Sequence, residues 1–414
     1  MRALPLLILL AAPALAKPAA EAKGLEKVAK VWVDYARWCK LQGLKAEAEH
    51  ALAAAREADA GADGLDALAD EVAAMADGAT EAPGLETRRK KARQDAAKHY
   101  DRLAKLDHAD EDAPRFEGYL FRAAELDPSK SRLAKIAARV KQLAGNRRTS
   151  DDASRLFVRL RELDPEGKYD ALEIDLAKED VVLVKHPDHP MVGYLSLPKG
   201  WRKGAAMPVL VAVDGAGSNF LGAARNFAKA RGGRDFLVLA PCSLSNTNAL
   251  DAAKYPFYDA ATLQEGDRDR IRFDVEGLKG LLAVLQERFG ASERFGITGF
   301  SGGGYLCYAM TVLFPDRVLF SAPACANFSG MGFRDANPVE GGGPAISIFT
   351  GEKDPHRDFT HGNQAMPGIE PQTDSAVKAL ESLGFTNVKR TMLPGVGHSS
   401  CAQQVWDAAD AASK

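Results

Sequence analysis

After about Tyr169 the chain alternates two patterns, and that alternation leaves few folds open. Short apolar runs such as "VVLVKH", "VGYLSLP", "PVLVAVDGAG", "DFLVLAPC", "RFGITGFS", "RVLFSAPAC", "AISIFTGEKD" and "VKRTMLPGVGH" each end in loop residues. Between several of them lie stretches with helical spacing: "DVEGLKGLLAVLQERFG", "GGYLCYAMTVLF" and "PQTDSAVKALESLG". Continuous apolar runs fit strands buried on both faces. Strands alternating with helices predict an α/β fold, a mostly parallel sheet with helices on both faces. In such sheets chemistry gathers at the carboxyl ends of the strands.

The first part of the chain reads differently. From about Ala22 to Lys168 it is rich in Ala, Leu, Glu, Lys and Arg, as in "LAKIAARVKQLA", and has no strand-like run. "ELDPSKS" and "ELDPEGK" read as helix ends stopped by proline. The expected organisation is a separate all-α helical-hairpin region over 22–168 and an α/β domain over 169–414. Trp32, Ala36, Gly43, Ala48 and Ala55 suit a tetratricopeptide phase of about 34 residues, but the stretch from Gly61 to Gln94 does not. A plain helical packing domain therefore stays open beside true repeats. The run Arg88 to Lys91 reads as a solvated helix face.

"MRALPLLILLAAPALAK" has a positive start, a short apolar run and an A-x-A site. That layout predicts a signal peptide over 1–16 and a secreted or periplasmic protein. The run is well short of the roughly 20 residues a membrane span needs. A net charge of -2 gives no reason to expect nucleic acid. None of the five cysteines, Cys39, Cys242, Cys307, Cys325 and Cys401, forms a C-x-x-C pair, so no zinc site is expected. Export permits up to two bridges among the last four, with the pairing open. Buried free thiols are the other reading. His186 and His189 in "KHPDHP" have no further ligand cluster nearby and read as a turn between strands.

The densest glycine cluster surrounds one serine, in "GITGFSGGGYL". No lysine follows as a P-loop requires, and the spacing fails the dinucleotide fingerprint. Gly299, Ser301 and Gly303 do match G-x-S-x-G, the nucleophile elbow. A chain this rich in glycine produces that pattern by chance roughly 0.2 times, so context must decide. Here a strand-like run precedes the serine and a helical run follows it.

The other parts of a serine-nucleophile site can be sought in order. A helix start offers the Gly302 N–H as one oxyanion donor. The loop Asp214 to Gly217 after an earlier strand offers a second, at Ala216 first and Gly217 next. The expected order is Ser, then acid, then His. His398 follows a strand in a glycine-rich loop, whereas no strand immediately precedes His356 or His361. Asp354 ends the preceding strand, with Glu352 and Asp358 as alternatives. The expected triad is Ser301, Asp354 and His398.

With these residues in place, Tyr169 to Lys414 resembles the α/β-hydrolases. "GFSGGG", "FTGEKDP" and "LPGVGHS" are similar to secreted esterases related to polyhydroxybutyrate depolymerases, feruloyl esterases and acetyl xylan esterases. The resemblance implies a cofactor-free serine esterase acting on a small or polymeric ester. It does not reach the helical region, which is open to a protein or polymer partner. The family often opens its oxyanion loop with His-Gly, where this chain has Asp214-Gly215. Two alternatives stay in view. One is a serine peptidase of prolyl-oligopeptidase type; the other is a non-catalytic binding protein that works through its helices.

Overall fold

The computed structural model describes residues 19–106, 113–144, 150–358 and 367–413. The expected signal peptide and His361 lie outside them. The chain divides into two compact units, Met1–Arg139 with Arg159–Gly167, and Val140–Val158 with Lys168–Lys414.

Eight helices come first: α1 (Ala19–Leu41), α2 (Lys45–Ala58), α3 (Leu65–Ala73), α4 (Leu85–Leu103), α5 (Ala113–Leu126), α6 (Lys130–Ala144), α7 (Ser150–Leu163) and α8 (Asp170–Glu179). In α1, Leu25, Val28, Ala29, Trp32, Ala36 and Cys39 are buried, the three-and-four spacing of one helix face. They meet Ala48, Ala51, Leu52 and Ala55 of α2 in one core. A cavity of about 320 Å³ in the first unit is lined by residues that include Trp32, Tyr35, Glu47, Arg89 and Tyr100. Glu47 accepts from the Tyr35 hydroxyl at 2.8 Å and from Arg89 Nη2 at 2.8 Å.

The second unit holds an eight-stranded sheet. Its strands are β1 (Val182–Lys185), β2 (Val192–Ser196), β3 (Met207–Val213), β4 (Leu237–Pro241), β5 (Ala291–Gly299), β6 (Val318–Ser321), β7 (Ala345–Gly351) and β8 (Val388–Leu393). Their spatial order is β1-β2-β4-β3-β5-β6-β7-β8. β1 and β2 pair antiparallel, as do β2 and β4, and every later pairing is parallel. All five residues of β2 and of β4 are buried, because helices cover the sheet.

The covering helices are α9 (Phe220–Ala230), α10 (Ala260–Arg268), α11 (Arg270–Phe289), α12 (Gly304–Leu313), α13 (Ile369–Ser382) and α14 (Ala402–Ala412). One core cluster joins α9 and α14 to the sheet through Phe227, Trp406, Leu210, Val238 and Phe320. Trp406 is fully buried, and its indole N–H donates to the Phe227 carbonyl at 3.1 Å. Truncating such a side chain to alanine costs about 3–5 kcal/mol. A second cluster joins α12 and α13 to β7 through Tyr308, Val312, Ile346, Ile348 and Leu380. This strand order, with a serine turn after β5, is the α/β-hydrolase fold.

His186 and His189 do more than turn the chain between β1 and β2. A side-chain carbon on Gly277 of α11 would lie 2.7 Å from His189, and one on Gly280 would lie 2.9 Å from His186. The helix carries glycine where the two rings pack. Phe220, Tyr255 and Tyr258 sit in one core cluster, and Phe328 and Phe333 pack against another.

Candidate active site

Ser301 stands in the turn between β5 and α12 with φ at 50°, a left-handed conformation that costs a non-glycine residue energy. The surrounding glycines explain how the turn closes. A side-chain carbon on Gly299 would lie 2.3 Å from the Gly303 carbonyl oxygen, and one on Gly302 would lie 1.9 Å from that of Asn246. One on Gly303 would lie 2.5 Å from the Val213 carbonyl oxygen at the end of β3. Each of these glycines is therefore a close backbone approach. The turn is further held by the Phe300 N–H donating to Val213 and the Asn327 N–H donating to the Ser301 carbonyl, at 3.0 and 2.8 Å.

Among the described residues four non-glycine positions are left-handed: Ser218, Ser301, Cys325 and Cys401. They lie on the loops after β3, β5, β6 and β8. Such strain persists where the surrounding structure over-determines it, and it clusters at functional sites.

The loop Asp214 to Gly217 reaches the serine. A side-chain carbon on Gly215 would lie 3.0 Å from Ser301 Cβ. Asp214 accepts the Asn219 N–H at 2.6 Å, which ties the loop to the start of α9. Burial pushes the Asp214 carboxyl up, against the pull of its backbone hydrogen bonds. Lys254 Nζ donates to the Ala216 carbonyl at 3.1 Å.

A bracket that sequence reading missed holds this loop against the elbow. Asn246, in the loop after β4, is 1% exposed. Its Nδ2 donates to the Gly215 carbonyl at 2.8 Å, and its Oδ1 accepts the Tyr255 hydroxyl at 3.0 Å. Its own carbonyl packs on Gly302. Asp274 of α11 fixes the same loop by accepting the Leu244 and Ser245 N–H groups at 2.8 and 2.7 Å. No motif marks Asn246 or Asp274 in the sequence; only the fold brings them here.

Asp354 and His398 meet at the ends of β7 and β8. His398 Nδ1 lies 2.8 Å from Asp354 Oδ2, while Asp354 Oδ1 accepts the His356 N–H at 2.8 Å. The loops that carry them are laced together by the Lys353 N–H on the Val396 carbonyl, at 2.8 Å. Of the alternative acids, Glu352 accepts the Gly395 N–H at 2.7 Å and Asp358 pairs with Arg357 at 3.2 Å. The alternative base His356 stacks edge-on against His398, their rings 4.7 Å apart.

The Phe300 ring, one residue before the serine, lies 4.7 Å from the His398 ring. The Ser301 hydroxyl is turned toward Asn327 Oδ1 at 3.5 Å, a long contact. Among the described residues no hydrogen bond joins it to His398. Asn327 is held in turn by Gln372 at 3.3 Å.

The sequence marked Cys325 only as one of the possible bridging thiols, yet its sulfur, an Asp354 carboxylate oxygen and a His398 ring nitrogen all lie within 4.8 Å of one another. Burial lowers the His398 pKa, but hydrogen bonds to Cys325 and Asp354 outweigh it, and the net direction is up. Burial raises Asp354, but its hydrogen bonds to His398 and His356 prevail and hold it below the usual range. All five cysteines are buried free thiols.

The site thus holds a serine on a strained turn and, close to it through Phe300, an imidazole hydrogen-bonded to a carboxylate. No family model matches the chain, and no curated protein matches it. Among solved structures, poly(aspartic acid) hydrolase-1 from Sphingomonas sp. KT-1 is 17% identical, with a TM-score of 0.39, over 56% of this chain and 98% of that one. An S-formylglutathione hydrolase from Staphylococcus aureus is 12% identical, with a TM-score of 0.40, over 56% of this chain and 96% of that one. A ferulic acid esterase from Anaeromyces mucronatus is 13% identical, with a TM-score of 0.39, over 55% and 88%. The fold is defined by this chain's own strand order and by its turn at Ser301.

Proposed function

We propose that the protein is an exported serine hydrolase, and specifically a carboxylic ester hydrolase. The observation that carries this reading is the left-handed Ser301 between β5 and α12, with the Asp354–His398 pair reaching its turn through Phe300. Export rests on the opening sixteen residues alone. Among the described residues no helix is long and apolar enough to cross a membrane.

In the proposed mechanism the Ser301 hydroxyl rotates from Asn327 to His398. It attacks the ester carbonyl as His398 takes its proton. Asp354 keeps the imidazole in the correct tautomer and stabilises its protonated form. The N–H groups of Gly302 and Ala216 hold the developing oxyanion, a role worth roughly 10²–10³ in rate per donor. His398 then protonates the leaving alcohol; it next takes a proton from water, which attacks the acyl-enzyme, and returns that proton to the Ser301 oxygen as the carboxylic acid leaves. Neither a metal nor an organic cofactor is called for by these steps.

A panel of p-nitrophenyl esters with short and aromatic acyl groups, set against aminoacyl p-nitroanilides, tests the substrate class. Ester turnover that disappears in Ser301→Ala is expected. Turnover of the anilides with no ester activity would replace the reading with a peptidase.

A further inference from the structure

Two amide side chains fix the direction of one oxygen beside Ser301. Asn327 lies on the loop after β6, and that loop is strapped to the serine turn. The Ala324 N–H donates to the Gly299 carbonyl at 3.0 Å, and the Asn327 N–H to the Ser301 carbonyl at 2.8 Å. The backbones meet closely: a side-chain carbon on Gly304 would lie 2.4 Å from the Asn327 carbonyl oxygen. Behind Asn327 stands Gln372 of α13, 5% exposed. Its Nε2 donates to the Pro367 carbonyl at 2.6 Å, and its Oε1 accepts the Phe328 N–H at 2.8 Å. Both partners are backbone groups of fixed character, so the Gln372 amide has one orientation. The Asn327 atom that faces Gln372 Oε1, 3.3 Å away, must then be the donor Nδ2. The atom left facing Ser301 Oγ, at 3.5 Å, is the acceptor Oδ1. That contact is too long to hold the hydroxyl firmly. When the hydroxyl turns to His398, Oδ1 stays behind, half-buried beside the nucleophile. Among the described residues no other side chain donates to it. An acceptor in that position disfavours any bound state that leaves it unpaired.

We propose that Asn327 Oδ1 recognises a hydrogen-bond donor on the acyl group of the substrate, which makes esters of 2-hydroxy acids the preferred class. This preference rests on the hydrolase reading and deepens it by naming the substrate of the same site. At attack the ester carbonyl carbon stands about 3–3.5 Å from Ser301 Oγ. An acceptor 3.5 Å from the same Oγ is a near neighbour of that carbon. A hydroxyl on the adjoining carbon of the acyl group spans the gap. It donates to Oδ1 and replaces the contact that the Ser301 hydroxyl gives up. A plain acyl ester has nothing to donate there, and its attack leaves Oδ1 without that partner. Asn327 thus acts on specificity, and Gln372 keeps the acceptor end of its amide turned to the substrate.

The experiment measures kcat/KM of the full-length protein, by acid release at constant pH, on three ethyl esters: those of 2-hydroxypropanoic, 2-fluoropropanoic and propanoic acid. Fluorine is close to the hydroxyl in size and withdraws electrons, but it donates nothing. Dividing each value by the ester's rate in alkali removes intrinsic reactivity. The wild-type protein is expected to favour one enantiomer of the 2-hydroxy ester over both other esters by about 10-fold. Asn327→Leu should abolish that preference and turn over the other two in their wild-type ratio. A wild-type protein that treats the three esters alike would overturn the proposal, whether or not the variant folds. So would a preference that survives in Asn327→Leu. Turnover of none of the three, with no fluorophosphonate adduct on Ser301, would overturn the hydrolase reading and this preference with it.

Discussion

At the scale of single residues, the site depends on what His398 can do near neutral pH. In the proposed mechanism it is the base, and for that it must be neutral. Its pKa in the folded protein is raised, because Cys325 and Asp354 together outweigh burial. The groups that face it are Asp354, Cys325 and the His356 ring. A raised pKa means that activity is lost on acidification at a higher pH than an ordinary histidine would give. The acid limb of kcat/KM on a p-nitrophenyl ester is therefore expected above about 6.5. A limb at or below that value would show that the carboxylate and thiol do not control the base. G-x-S-x-G, a strand-end aspartate and a strand-end histidine in that order made these residues candidates in the sequence; the structure brings Asp354 and His398 together and leaves the Ser301 hydroxyl on Asn327. Cys325 was not a candidate for this site, because a thiol beside the pair comes from the end of β6 and carries no spacing signature.

Between single residues and the whole lie the loops at the carboxyl ends of the strands. The loop after β4 braces two others: Asn246 holds the Gly215 carbonyl and backs Gly302. Asn246→Ala removes the amide that fixes the loop Asp214 to Gly217, the proposed oxyanion loop, and leaves Ser301, Asp354 and His398 unsubstituted. A fall in kcat of about 10- to 100-fold is expected, with a smaller change in KM. Steady-state kinetics on an ester decides it, and an unchanged kcat would show that the oxyanion loop holds without the bracket. The strands themselves were readable, since buried parallel strands are continuous apolar runs ended by Gly, Asp or Pro. The bracket was not. Its hydrogen bonds join residues about 30 positions apart, and a buried Asn in a polar loop looks like any other loop residue.

For the whole molecule, the change of pattern near Tyr169 does not coincide with every contact in the second unit. That unit also takes in Val140–Val158. The Tyr194 hydroxyl donates to Asp151 Oδ1 at 2.7 Å, and Ser154 Oγ donates to the Val181 carbonyl at 2.9 Å. A chain of residues 169–414 loses both bonds, while 140–414 keeps them. At about 1 kcal/mol per net hydrogen bond, the shorter chain should melt about 4–8 °C lower. Equal melting temperatures would show that the segment does not support the sheet. Composition could mark where helices give way to strands, but not that part of a helix sequence serves the sheet. At the centre of the molecule's proposed activity stands Ser301 as nucleophile. Intact-mass measurement after treatment with a fluorophosphonate tests it most directly. One adduct per chain, mapped to Ser301 and absent from Ser301→Ala, is the result expected. No adduct on the folded wild-type protein, or undiminished labelling of the variant, would contradict it.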